Sequence, residues 1–334
     1  MSMISARDLT KIYNAKVRAV DHVSFDVDAG EVIGFLGPNG AGKTTLVRIL
    51  TTLTKPTEGT ALVGGFDVVR QAGKVRRQVG IVPQDLSVDG DLTGMENLLL
   101  QARLYDVPKK EAKDRAKRLL ELVDFTEYAN RAVETYSGGM RKRLEILCGL
   151  ISQPKILFLD EPTLGLDVRS RTTIWEYLKK LNEDEGLTLF INTNYMEEAD
   201  ALCDQIIILD RGKIVTSGTP DSLKTSLGGN FFELTVVAAS SDALSLLESF
   251  ESVTEVDRID DSTYRARVNC SEDELLEILQ RLKERGIRIV RLVSKRPGLD
   301  EVFLHYTGRK IRSEVAEEKQ EQSLKRNITP RTRI

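Results

Sequence analysis

The stretch Gly37-Pro38-Asn39-Gly40-Ala41-Gly42-Lys43-Thr44-Thr45 constrains this chain more than any other. It fits G-x-x-x-x-G-K-[ST], the phosphate-binding loop. Glycines at 37, 40 and 42 let the backbone curl so that successive N–H groups point inward at phosphate oxygens. Lys43 supplies a point charge for the β and γ phosphates, and the Thr44 hydroxyl suits a Mg²⁺ ion. The flanks agree: Glu31–Leu36 reads as a buried strand and Thr44–Thr51 as a helix whose N-terminus faces the phosphates. A Gly-rich turn would match the same letters without that strand-loop-helix context.

At 334 residues the chain has room for two domains and a tail. Its 41% hydrophobic and 30% charged residues are those of a globular protein. No run approaches the roughly 18 apolar residues of a membrane span, and Met1–Asp8 lacks the basic-then-apolar pattern of a signal peptide. The net charge of −3 argues against bulk nucleic-acid binding. Cys148, Cys203 and Cys270 are far apart, without a C-x-x-C pair, and read as buried free thiols of a cytosolic protein.

Along the chain, Ile4–Tyr13 and Ala19–Val27 alternate as antiparallel strands do. Tyr13, between them and the phosphate loop, is either a half-exposed strand residue or an aromatic platform for adenine. Thr60–Val63 and Gln78–Val82 follow as strands, and Pro83-Gln84 ends the second. Thr93–Glu127 turns helical, broken at Pro108, which suggests a helical subdomain over about 85–153. Tyr136-Ser137-Gly138-Gly139-Met140 opens a helix over Arg141–Leu150. Lys155–Leu159 is a buried strand that delivers Asp160 and Glu161 at its C-terminal end, where a carboxylate can meet Mg²⁺. Helix Arg169–Leu181, strand Leu187–Ile191, helix Met196–Leu202 and strands Gln205–Leu209 and Lys213–Val215 alternate as in a parallel, helix-flanked core. A short helix after Pro220 closes this first domain, 1–225. Residues 230–308 follow the β-α-β-β-α-β order of a ferredoxin-like α+β domain. The charged tail, 309–334, ends in a basic stretch that is either solvated or in contact with anionic lipid.

Together, the phosphate loop, Gln84, Tyr136-Ser-Gly-Gly-Met140, Asp160-Glu161 and Leu164-Gly-Leu-Asp167 resemble the motif set of ATP-binding-cassette (ABC) ATPases over about 1–225. The stretch Arg296-Pro-Gly-Leu-Asp-Glu-Val-Phe-Leu304 resembles the C-terminal domain of the daunorubicin-type drug-resistance exporter ATPases, which work with ABC-2-type membrane permeases. The resemblance implies an α/β P-loop NTPase domain with antiparallel β and helical subdomains; the smaller domain, which has no catalytic spacing, is expected to serve regulation or dimerisation. It implies a head-to-tail dimer, homo- or heteromeric, around two ATP molecules. Ser137, Gly138 and Gly139 would then face the γ-phosphate held by the other chain, with Asp167 across the interface. Gln84 would touch Mg²⁺ and the attacking water, Glu161 would act on that water, and Tyr13 would stack on adenine.

One position departs from the family. Thr193-Asn194-Tyr195-Met-Glu-Glu-Ala-Asp200 carries Asn194 where a histidine is expected, and the two histidines, His22 and His305, lie elsewhere. An asparagine still donates an N–H to a phosphate oxygen but is never cationic. A slow ATPase, a binding-only clamp, a pair with a histidine-bearing cassette and a neutral variation all fit. A non-transport ABC ATPase is the remaining alternative to an exporter subunit peripheral on the cytoplasmic face of the membrane.

Overall fold

The computed structural model describes residues 2–14, 16–227, 230–237, 241–268, 272–295 and 297–308. Cys270, Arg296 and the tail 309–334 lie outside them. The chain divides into two compact units, Met1–Thr219 and Pro220–Lys310.

The first unit opens with β1 (Ser2–Tyr13), β2 (Val17–Asp28), β3 (Val32–Leu36), α1 (Lys43–Leu50), β4 (Glu58–Val63), β5 (Phe66–Asp67), α2 (Ala72–Arg76) and β6 (Val79–Val82). A helical stretch follows, α3 (Gly94–Leu104), α4 (Lys109–Leu122) and α5 (Gly138–Leu150). Then come β7 (Ile156–Asp160), α6 (Val168–Glu185), β8 (Thr188–Thr193), α7 (Met196–Leu202), β9 (Gln205–Asp210) and β10 (Lys213–Gly218).

Two sheets result. Alternating strands make an antiparallel one, β2-β1-β4-β5. Near-continuous apolar strands make the other, β10-β9-β3-β8-β7-β6, parallel except at β10. Every residue of β3 and β8 is buried, as expected of strands covered on both faces. The sheets share a core. In it Phe35 stacks on Phe190 at 4.5 Å between centroids, Phe25 meets Phe35 edge-on at 5.0 Å and Phe158 lies 5.0 Å from Phe190. Burying each ring contributes about 1.5–3 kcal/mol. Leu46, Val47, Ile49 and Leu50 commit α1 to the same core, so the phosphate loop is tethered at both ends. Parallel β3, β7 and β8 end at one sheet edge, and that edge receives the loop, Asp160-Glu161 and Asn192–Asn194.

Several boundaries differ from the sequence expectation. Helix α5 begins at Gly138 and not at Arg141, because the Ser137 hydroxyl caps it by accepting from Met140 N at 3.3 Å. Helix α6 runs on past Leu181 to Glu185, where Gly186 (φ 62°) ends it. The strand expected to stop at Ile191 continues to Thr193.

The second unit comprises α8 (Pro220–Ser226), β11 (Asn230–Val236), α9 (Ser241–Glu248), β12 (Val253–Arg258), β13 (Thr263–Val268), α10 (Glu272–Glu284), β14 (Ile289–Lys295) and α11 (Leu299–Thr307). Its sheet, β12-β13-β11-β14, is antiparallel throughout, which is the ferredoxin-like arrangement. Helix α8, expected to close the first domain, instead packs against α11 in this unit. Its Leu223 is buried, and Ser226 and Tyr306 hydroxyls lie 3.4 Å apart. Cys148 and Cys203, in the first unit, are buried and unbridged.

Candidate nucleotide site

Gly42 adopts φ 108° and caps α1, a conformation closed to side chains; a Cβ there would sit 2.1 Å from Ala19 O. Gly40 is also left-handed, at φ 81°. Loop and sheets are stitched together by Gly212 N donating to Ala41 O (2.8 Å) and Asp21 N donating to Gly212 O (2.8 Å). Thr44, at the second position of α1, is exposed, whereas Lys43 is only 6% exposed.

A cleft of about 690 Å³ gathers Tyr13, residues 39–45 of the loop, Gln84, Asp160, Glu161 and Asn194. Of the sequence-named residues, Gly37 and Pro38 lie in the loop just before it. Lys43 Nζ donates to Gly37 O at 2.6 Å and to Asn194 Oδ1 at 2.9 Å. Asn194 Nδ2 donates to Asn39 Oδ1 at 3.2 Å, and Asn194 N donates to Glu161 Oε2 at 3.2 Å. Asn194 is therefore the joint between the phosphate-loop lysine and the carboxylate of β7. Tyr13 ends β1 half-buried, with the Lys11 ammonium 5.1 Å from its ring centroid.

Burial pushes the Glu161 carboxyl up to about 7, helped by the charges of Glu198 and Asp160 and opposed by the Asn194 N–H and Lys43. Glu161 also takes a left-handed φ of 48°, an uncommon backbone state for a residue with a Cβ. Burial raises Asp160 too, while its hydrogen bond from Asn192 and Lys43's charge oppose the rise.

Ser137, Gly138, Gly139 and Asp167 do not line this cleft. They sit at two helix N-termini. Ser137 caps α5. Asp167 caps α6, accepting from Ser170 N (3.0 Å) and Ser170 Oγ (2.7 Å), and those bonds hold its carboxyl below the ordinary aspartate value. A Cβ on Gly139 would meet Ser170 Oγ at 2.7 Å, so the two helix starts lie against each other.

Residues 20–164 match the ABC transporter family, and 218–307 match the C-terminal domain of ATP-binding protein DrrA1-3-like. The chain is 43% identical over 304 residues to a doxorubicin resistance ATP-binding protein of Mycobacterium tuberculosis, covering 87% of this chain and 89% of that one. It is 40% identical to a daunorubicin/doxorubicin resistance ATP-binding protein of Streptomyces peucetius, covering 91% and 92%. A solved dimeric ATP-binding cassette in a post-hydrolysis state with ADP and Pi superposes with TM-score 0.58 at 28% identity, over 65% of this chain and 98% of that one. The chain belongs to the ABC transporter ATP-binding family. It is an ABC-type ATPase that binds ATP, with a DrrA-like C-terminal domain.

Sequence reading missed part of the lining and support of this cleft. Arg18 and Arg211 line the cleft, yet the turn at Asp210–Gly212 reads from sequence only as a turn. Asn192, 1% exposed, holds Asp160 through its side chain and Glu161 through its carbonyl, which accepts from Glu161 N at 2.8 Å. A polar residue inside an apolar strand is the available signal, obscured because the apolar run stops at Ile191 while β8 continues to Thr193. Glu198 is fully buried and accepts from Thr163 Oγ1 (2.7 Å) and Trp175 Nε1 (3.0 Å). Nothing in the spacing of α7 marks it.

Proposed function

We propose that this chain is the ATP-hydrolysing subunit of a drug-type exporter. It would dimerise through ATP and drive a separately encoded ABC-2-type membrane permease from the cytoplasmic face of the cell membrane. The observation that carries the proposal is the convergence of Lys43, Asp160, Glu161 and Asn194 from three strand ends on one cleft. Similarity to proteins named for daunorubicin and doxorubicin resistance supports the exporter class. No described helix is long and apolar enough to cross a membrane, so a membrane path would lie in a partner.

In this reading Tyr13 stacks on adenine, and residues 37–45 cradle the phosphates with inward N–H groups and the Lys43 charge. Thr44, Gln84 and Asp160 offer oxygen donors, a set that suits Mg²⁺. The ion, when bound, neutralises charge on the β- and γ-phosphate oxygens. Glu161 positions the attacking water and accepts its proton, a role for which a carboxyl raised by burial is suited. Asn194 donates its amide to the γ-phosphate. From the second cassette, Ser137, Gly138 and Gly139 close the site at a helix N-terminus, and Asp167 lies across the interface. That second cassette is another copy of this chain or a related subunit.

Steady-state ATP turnover of wild type against Glu161→Gln tests the enzyme reading: the variant should bind ATP and lose turnover by at least a hundredfold. Equal rates would overturn it. Co-purification with a permease from solubilised membranes tests the exporter reading, and recovery with ribosomes or DNA instead would point to a non-transport ATPase. A second reading, an ATP-dependent clamp with very slow hydrolysis, is favoured by Asn194. Wild type as inactive as Glu161→Gln would select it.

A further inference from the structure

Helix α5 carries an ion pair that the functional reading leaves unused. Lys142 and Glu145 are buried, their side chains 5% and 1% exposed, and Lys142 Nζ donates to Glu145 Oε2 at 2.8 Å. The rest of their hydrogen-bonding capacity goes to one loop. Lys142 Nζ also donates to Pro83 O at 2.9 Å and approaches Gln84 O at 3.5 Å. Glu145 Oε1 accepts from Ser87 N at 2.6 Å and Ser87 Oγ at 3.0 Å.

Among the described residues, no backbone–backbone hydrogen bond involves residues 83–87. The pair is therefore what shapes the loop that carries Gln84. Two apolar side chains would fill the same space without the desolvation cost of two buried charges, so a buried pair is a poor device for stability alone. It is a good device for fixing geometry, because a shift of loop against helix strands both charges.

We propose that Lys142 and Glu145 are positioning residues for hydrolysis: they bind the 83–87 loop to α5, so that Gln84 and the Ser137 end of the helix move as one body. The proposal rests on the reading of Gln84 as part of the hydrolytic site. Closing of a second cassette on Ser137 would then set Gln84 in the first cassette's own cleft. The nucleotide itself is held by residues 37–45 and Tyr13, and Gln84 reaches it only through Mg²⁺ and the attacking water.

The test uses the full chain with Lys142→Met/Glu145→Leu, which leaves no lone buried charge, and with Glu145→Gln, which keeps an acceptor for Ser87. Both should bind Mg²⁺-free ATP with unchanged Kd and lose kcat tenfold or more. Hydrogen exchange should quicken at 84–87 and stay unchanged at 39–45. In a Gln84→Ala background, neither change should lower kcat further, because both act through Gln84. Wild-type kcat in either folded variant, or losses that multiply in the Gln84→Ala background, would overturn the proposal. Should Gln84→Ala alone leave turnover at the wild-type level, the reading of Gln84 fails and the proposal falls with it, an outcome distinct from the other two. Where Gln84→Ala turnover is too low to read, unchanged exchange at 84–87 overturns it.

Discussion

Asn194 bonds through both ends of its amide, to Lys43 by its oxygen and to Asn39 by its nitrogen. One of its two amide N–H groups donates to Asn39, which leaves the other for a γ-phosphate oxygen, but that bond lacks the charge that an imidazolium supplies. A charge-assisted hydrogen bond is worth about 1.5–3 kcal/mol. Asn194→His should therefore raise kcat about ten- to a hundredfold, read as steady-state phosphate release; no gain would show that the asparagine is not a brake. Glu161 carries a second prediction. A carboxyl raised from its ordinary value of 4.5 to about 7 favours the folded state while neutral. That contribution is fully present below the unfolded value and is lost as pH rises through 7. Its loss amounts to about 3 kcal/mol. In nucleotide-free protein Glu161→Gln should match wild type in Tm near pH 5 and exceed it by several degrees at pH 8. A Tm difference independent of pH would remove the burial argument.

Helix starts organise the site at the scale of elements. The phosphate loop ends in a left-handed Gly42 pressed on Ala19 O, so β2 and the loop share one surface. Gly42→Ala would add both backbone strain and a clash, and binding of a fluorescent ATP analogue should fall beyond detection while far-UV circular dichroism persists. Normal binding would mean that the loop opens without that packing. Ser137 and Asp167 separate a structural from a functional role. As the cap of α5, Ser137 contributes about 1 kcal/mol, so Ser137→Ala should lower Tm by only a few degrees. If it also meets a partner's γ-phosphate, ATP-dependent dimerisation measured by light scattering should weaken much further than that loss explains. Dimerisation that falls only in step with stability would leave Ser137 a cap and nothing more.

For the molecule as a whole, the boundary at Thr219 decides how the second unit can be removed. Cutting after Gly228 would leave α8 behind without α11, the helix that it packs against in the second unit, and so uncover Leu223. Ending the chain at Thr219 removes the unit with its core of Phe232, Leu234, Tyr264, Ala266 and Ile278 intact. We expect 1–219 to fold, bind ATP and dimerise less tightly with ATP than the full chain, since the second unit brings no catalytic spacing of its own. Dimerisation equal to that of the full chain would exclude a dimerisation role for it.

Local patterns carried much of this protein. The phosphate loop was legible because only glycines tolerate its curl. Asp160-Glu161 were legible because four apolar residues commit the preceding strand to the core. The ferredoxin-like order followed from alternation, and the sheet order β12-β13-β11-β14 agrees with it. Other features depend on residues far apart in the chain. That Asn194 joins Lys43 to Glu161 comes from the adjacency of β3 and β8 and the pairing of β8 with β7. The burial of Glu198, and the grip of Lys142 and Glu145 on the 83–87 loop, likewise arise only when α7, α6 and α5 settle on the sheet. A sequence displays its hydrophobic periods and its backbone exceptions, whereas the partner of a buried charge is chosen by packing.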